Sequence, residues 1–281
     1  MTELDHYNPQ MYSVTFKIRQ ACVNRMLELH EPQLKWRLGC ERFMDIGCGM
    51  GDIAKKCFIP LLPRDFKKLV CADLSPIMLE AAQNELSDVE HVEFRQLDIR
   101  PPLESALYAS VDRIFSAYVL MYIDDQKQAW QNIFDLLTPG GDCWVCLITT
   151  AAIFETFIKM AESPKWEGRL KNLKDVFVLP FRMDPAPEET IEKLLKSIGF
   201  IDIHVNKEDS KIPHPTAKVF KEQLRTFPSF SNNLTETEKE ELLDDQVNQA
   251  ITFNIIDEFH DPSKPEFQPR FQNMAIYARK P

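Results

Sequence analysis

Between Asp45 and Asp52 the chain reads Asp-Ile-Gly-Cys-Gly-Met-Gly-Asp, which puts Gly47, Gly49 and Gly51, three of eight glycines in 281 residues, into one short loop. Glycine lacks a Cβ, so such a loop turns tightly and lets its backbone approach a ligand closely. The apolar run Arg42 to Ile46 reads as a buried strand, and a helix is expected to open near Asp52, the strand-loop-helix arrangement of nucleotide-binding turns. Pyrophosphate is the common occupant of those turns. Asp45 argues against it here: a carboxylate two residues before the first glycine repels an anion and attracts, directly or through water, a cationic amino-acid group. Gly47, Cys48 and Gly49 are the loop residues expected against the ligand.

Three further features recur at the ends of the following strands, where open α/β sheets bind their ligands. Lys68 to Ala72 reads as a second strand running into Asp73 and Leu74, about twenty residues beyond the loop, from where a carboxylate accepts two ribose hydroxyls. Val92 to Leu97 is a third, ended by Asp98 and Ile99. Asp98 suits an adenine amino group, with Ile99 and Met78 on the two faces of the ring. Arg113 to Tyr118 is a fourth, and its Ser116-Ala117-Tyr118 turn completes the row. Each aspartate alone also reads as an ordinary turn residue. In this order behind the glycine loop they describe an adenosine joined to a cationic amino-acid group, the chemistry of S-adenosylmethionine. Asp45, Asp98 and the lack of a second crevice for a nicotinamide stand against NAD.

These residues need a frame. Strand and helix alternate from Arg42 to Ile148, the pattern of a parallel sheet covered on both faces. Ser75-Pro76 reads as an N-cap with proline in the first helical position, opening a helix from Ile77 to Leu86. A further helix is expected from Gln126 to Leu137, closed by Thr138-Pro139-Gly140-Gly141 before a fifth strand, Asp142 to Ile148. Ahead of the first strand, Tyr7 to Trp36 has helical spacing. Beyond residue 150 come a helix Ala151 to Met160, a proline-bounded segment Ser163 to Pro187, a helix Glu188 to Ile198 and a sixth strand, Phe200 to Val205. Nearly seventy residues then separate that strand from the last, Met274 to Ala278, more than a simple connection needs. Within them Thr235 and Glu238 form a capping box for a helix whose Leu243, Val247, Ile251 and Ile255 share a face. The fold expected is α/β, a Rossmann-like, seven-stranded, mostly parallel sheet with helices on both faces and helical lid insertions. Residues 1–36 make a helical cap, 37–150 a cofactor-binding core, and 151–187 and 206–272 insertions over the acceptor site.

Composition narrows the partners. A formal charge of −10 with scattered basic residues lacks the footprint of a nucleic-acid binder. Seven cysteines form an odd set placed in apolar segments, as reduced intracellular thiols are, and the one close pair, Cys143 and Cys146, lacks the second pair a zinc site needs. No stretch is apolar enough to span a membrane and the start does not read as a signal peptide, so a cytoplasmic protein is expected, monomeric or homodimeric. The six histidines are scattered, none beside the strand-end loops, which leaves no obvious general base.

The series of motifs resembles the class I S-adenosylmethionine-dependent methyltransferases: the glycine motif at 45–51, the ribose acid Asp73, the Asp98-Ile99 pair and the Pro139-Gly140-Gly141 turn. A narrower resemblance, on Pro60-Leu61-Leu62-Pro63, Leu97-Asp98-Ile99, Trp166, Leu242 to Gln246 and Tyr277-Ala278-Arg279-Lys280, is to the arthropod juvenile hormone acid O-methyltransferases. It implies donation from S-adenosylmethionine, leaving S-adenosylhomocysteine, to the carboxylate of a small apolar acid of the juvenile hormone or farnesoic type. A carboxylate is ionised at neutral pH and needs orientation rather than a base. Where that family shows a His-Trp pair after the fourth strand, this chain has Leu120-Met121-Tyr122-Ile123. Tyr122 is therefore the expected orienting residue, and Tyr12, Tyr118 and Trp166 are further donors for the acceptor. A phenol or amine acceptor, and a cofactor binder without turnover, are the alternatives.

Overall fold

The structure, a computed structural model, describes Ser13 and residues 16–34, 42–170, 179–211, 216–225, 234–252 and 270–281. In chain order the elements are α1 (Phe16–Leu29), β1 (Arg42–Ile46), β2 (Lys68–Asp73), α2 (Pro76–Glu85), β3 (Val92–Gln96), β4 (Val111–Ala117), α3 (Gln126–Leu136), β5 (Leu137–Ala151), α4 (Ala152–Ala161), α5 (Pro187–Ile198), β6 (Ile201–Lys211), α6 (Ala217–Leu224), α7 (Glu236–Thr252) and β7 (Arg270–Arg279).

All seven strands join one sheet in the order β3-β2-β1-β4-β5-β7-β6. β3, β2, β1, β4 and β5 pair in parallel, and β7 runs antiparallel between β5 and β6. The sheet is the Rossmann-like, mostly parallel one that the strand-helix alternation implies. Its central strands are apolar on consecutive residues because helices cover both faces. Side chains then divide by parity: Val70 and Ala72 of β2 join the core under α3 and α5, while Leu69 and Cys71 join the core under α1 and α2.

Local chemistry sets the element ends. The Ser75 hydroxyl accepts from the Met78 N–H at 3.4 Å, with Pro76 in the first turn of α2. Gly199 closes α5 at φ +117°. Thr235 and Glu238 exchange hydrogen bonds as a capping box at the start of α7. Arg113 of β4 and Asp142 of β5, both buried, form a bidentate ion pair that holds these neighbours in register.

Some boundaries differ from those read in the sequence. After the glycine loop the chain enters a wide π turn (Ala54–Phe58) and a short 3-10 turn (Ile59–Leu61), where Pro60 has no N–H to continue a regular helix. β5 begins at Leu137, because Thr138 to Gly141 stay in the strand, with Gly140 at φ +79°. β6 runs on to Lys211 and β7 begins at Arg270, each longer than expected because the two pair with one another nearly throughout. Of the N-terminal helical pattern, α1 spans Phe16–Leu29.

Candidate active site

The glycine loop leaves β1 at the sheet's C-terminal end and folds onto β2. The N–H groups of Gly47 and Cys48 both donate to the Ala72 carbonyl, at 2.7 and 3.0 Å, and the Gly49 N–H donates to Asp73 Oδ2 at 2.8 Å. Gly47, Gly49 and Gly51 sit at φ +71°, +54° and +81°, a region that favours glycine. At Gly47 there is no room either, since an added Cβ would lie 2.1 Å from Val119 Cγ2. These hydrogen bonds decide between two kinds of ligand. A phosphate cradle presents its backbone N–H groups to the anion. Here the Gly47, Cys48 and Gly49 N–H groups are taken by Ala72 and Asp73, while Gly47 and Gly49 line the ligand space.

Beyond the loop lies a cavity of about 250 Å³, large enough for an organic ligand and walled mainly by apolar side chains. It runs along the C-terminal edge of the sheet in two halves. One half, over β1, β2 and β3, is lined by Gly47, Gly49, Asp73, Leu74, Met78, Asp98 and Ile99. The other, over β4, β5 and β7, is lined by Ala117, Tyr118, Tyr122, Ile148, Phe154, Gln223, Arg270 and Phe271 among others. Residues drawn from distant parts of the sequence thus face one space.

Asp73 is positioned from both sides: Gly49 N–H holds Oδ2, and Ser75 N–H holds Oδ1 at 2.9 Å. Burial raises its pKa, and hydrogen bonds from the Ser75, Gly49 and Leu74 N–H groups oppose that rise. Asp98 is a different case. Arg100 binds it in a bidentate pair at 2.7 and 2.8 Å and holds the carboxyl below its usual range. Its charge is thus partly satisfied by a neighbour two residues away. The Ile99 carbonyl is fixed by the Asn132 amide at 2.7 Å, which anchors this wall to α3.

Asp45 and Cys48 do not line the cavity. They border a void of about 10 Å³ beneath the loop, room for roughly one water. Asp45 is 2 % exposed, and burial, with the charges of Asp73 and Asp52 nearby, pushes its carboxyl well above the usual range. Arg19 of α1 borders both spaces, paired through Nη2 with Asp52 at 2.7 Å. The sequence reading passed over Arg19, because nothing in a helical pattern shows that α1 crosses the glycine loop.

Tyr118 ends β4 at φ +62°; its N–H donates to the Cys146 carbonyl and its hydroxyl to Asn273 Oδ1 at 3.4 Å. Burial raises its pKa strongly. Tyr122 lies on a 3-10 turn (Leu120–Tyr122) that the buried Gln126 amide braces, donating to the Leu120 and Ile123 carbonyls at 2.7 and 2.8 Å. Two expected acceptor residues are not found there. Trp166 is 1 % exposed, its indole N–H donates to Asp245 at 2.9 Å, and it does not border the cavity: it ties the first insertion to α7. Tyr12 lies outside the described residues, as do Phe177, Val178, Phe227, Phe230 and Ile255. Gln223 and Arg270 do border the cavity, in the half over β4, β5 and β7, and no sequence signal marked them.

Comparison with known proteins agrees with this geometry. Residues 44–143 match a methyltransferase domain family. Juvenile hormone acid O-methyltransferase of Bombyx mori is 26 % identical over 97 % of this chain and 97 % of its own length. Among solved structures, the YcgJ protein of Bacillus subtilis superposes with a TM-score of 0.57 at 18 % identity, over 91 % of this chain and 98 % of that one. Phosphoethanolamine N-methyltransferase 2 of Haemonchus contortus, in complex with S-adenosyl-L-methionine, gives 0.51 at 18 % identity over 92 % of this chain and 52 % of that one. Residues 44–143 thus carry a methyltransferase domain, and the chain resembles the juvenile hormone acid O-methyltransferases over nearly its whole length.

Proposed function

We propose that this enzyme methylates the carboxylate of a small apolar acid, of the farnesoic or juvenile hormone acid type, to a methyl ester. The observation that carries the reading is that no usable base borders the acceptor half among the described residues. No histidine borders the cavity among the described residues, burial lifts both the Tyr118 phenol and the Cys22 thiol, and the cavity's carboxylates, Asp73 and Asp98, belong to the other half. A phenol or an ammonium would need a proton removed there. A carboxylate arrives already ionised.

The residues of the nucleoside half fit the donor. Asp73, held on both oxygens, keeps lone pairs for two ribose hydroxyls. Leu74, Met78 and Ile99 offer apolar surface to the adenine, and Asp98, beside Arg100, retains acceptor capacity for its amino group. Gly47 and Gly49 admit the amino-acid end; Asp45 acts on its ammonium through the small void, and Arg19 on its carboxylate. When bound, the donor supplies an electrophilic methyl group on a positively charged sulfur. Tyr122 orients the acceptor carboxylate through its hydroxyl, while Ile148, Ile153, Phe154 and Phe271 exclude water. Between β5 and α5, and between β6 and β7, α4 and α6 carry Ile153, Phe154 and Gln223 to this acceptor half.

The reading is tested by incubating the protein with a radiolabelled methyl donor and a panel of acids including farnesoic acid. Base-labile esters are expected. Label on a phenol or amine, and none on any acid, would sink it.

A further inference from the structure

The cavity is apolar, yet three guanidinium groups border it: Arg19, Arg100 and Arg270. Two are committed, Arg19 to Asp52 and Arg100 to Asp98. The Arg270 guanidinium has no hydrogen-bonding or ionic partner among the described residues. Its position is a result of topology. β7 is the strand that runs against its neighbours, so its first residues, Arg270 and Phe271, lie at the sheet end where the other strands stop, with Phe271 paired to Ala151 at the end of β5. A cation therefore stands in the acceptor half, while the ribose acid Asp73 and Asp98 stand in the other.

We infer that Arg270 is the charge anchor that makes this cavity select anionic acceptors, and that it acts on binding rather than on the methylation step. The inference rests on the acid-methylating reading above. An acid entering an apolar cavity loses hydration that only a charged donor replaces well, and guanidinium matches carboxylate geometry with two parallel N–H groups. Arg270 is exposed, so the pair forms at the mouth of the cavity, where solvent tempers it. Esterification removes the negative charge on the acceptor. An arginine that recognises that charge therefore holds the acid more strongly than the transition state, in which the charge is already falling. It lowers KM without raising kcat, and it releases the neutral ester.

The test uses the full chain loaded with S-adenosylhomocysteine, titrated calorimetrically with farnesoic acid and, separately, with its methyl ester. Arg270→Gln is expected to weaken the acid about five- to tenfold and to leave the ester unchanged, while Arg270→Lys, which keeps the charge but not the paired N–H geometry, falls between wild type and Arg270→Gln. In turnover with the same acid, Arg270→Gln raises KM and holds or raises kcat. Equal acid affinity in wild type and Arg270→Gln would overturn the inference. So would equal losses for acid and ester, since that is the signature of a packing residue. Ester formation by the wild type with an unchanged KM in Arg270→Gln brings down the inference alone. Methylation of uncharged acceptors only, with no acid taken, brings down the proposed function as well.

Discussion

Asp73 and Gly49 are bonded to one another on the floor of the cavity, carboxylate oxygen to backbone N–H at 2.8 Å. One side chain thereby shapes the glycine loop with one oxygen while it also lines the cavity. Asp73→Ala is expected to weaken S-adenosylmethionine binding by about 2 kcal/mol or more, because two charged hydrogen bonds are lost and the loop is released together. Asp73→Asn retains one oxygen and should lose less. Calorimetric titration of both variants checks this, and unchanged affinity in Asp73→Ala would put the ribose elsewhere.

Gly47 is limited by conformation and by space, and the two can be separated. Gly47→Ala meets Val119 Cγ2 and also places an L residue at φ +71°. Donor affinity and thermal stability should both fall. Adding Val119→Ala removes the contact but leaves the backbone cost of about 1 kcal/mol, so the double variant should recover part of the loss. No recovery would mean that Val119 was never the obstacle.

Asp45 makes donor binding depend on pH. Burial raises its pKa, so in the free protein it holds a proton above the ordinary carboxylate range, and ionising it as pH rises costs folding stability. The stability its protonated form contributes is present below the unfolded pKa and is lost as pH climbs through the raised value. A bound ammonium favours the ionised form. The rise in melting temperature produced by the donor should therefore grow as pH climbs through the raised value, and Asp45→Asn should flatten the profile. A flat profile in the wild type would contradict the assignment.

Tyr122→Phe keeps the ring and removes the hydroxyl. A loss of about 1 kcal/mol in kcat/KM for the acid, with donor affinity unchanged, is expected from steady-state kinetics beside calorimetry. Undiminished kcat/KM would remove Tyr122 from the acceptor site.

Trp166→Phe should act on stability instead. It deletes the bond from the indole N–H to Asp245 while keeping most of the packing, and a loss of about 1 kcal/mol in chemical denaturation is expected, without a specific change in acceptor KM.

The half of the cavity over β1, β2 and β3 was legible in the sequence, as residues meeting at one sheet edge, because its signals are local. A glycine loop, a strand-end Asp73 and an Asp98-Ile99 pair each follow their own strand, and a parallel sheet brings all such ends to one edge without further information. The acceptor half was not. Gln223 and Arg270 sit far from the glycine loop in sequence and reach the cavity only because α6 packs there and β7 is reversed. Trp166 shows the converse: an aromatic donor in the first insertion looks suited to a ligand until its partner, Asp245 on α7, is seen. Asp45, expected to face the ligand, lies outside the cavity, and the Gly47 and Cys48 N–H groups are taken by the Ala72 carbonyl, a matter of hydrogen-bond direction that no residue type reveals.

The reversal of β7 also bears on engineering. The strand enters the sheet beside the acceptor at Arg270 and ends ten residues later, roughly 30 Å away at the opposite edge. A fusion partner or affinity tag joined after Pro281 is therefore held away from the cavity mouth. Changes of length between β6 and β7 would be felt at the cavity mouth, while the half over β1, β2 and β3 keeps its own register.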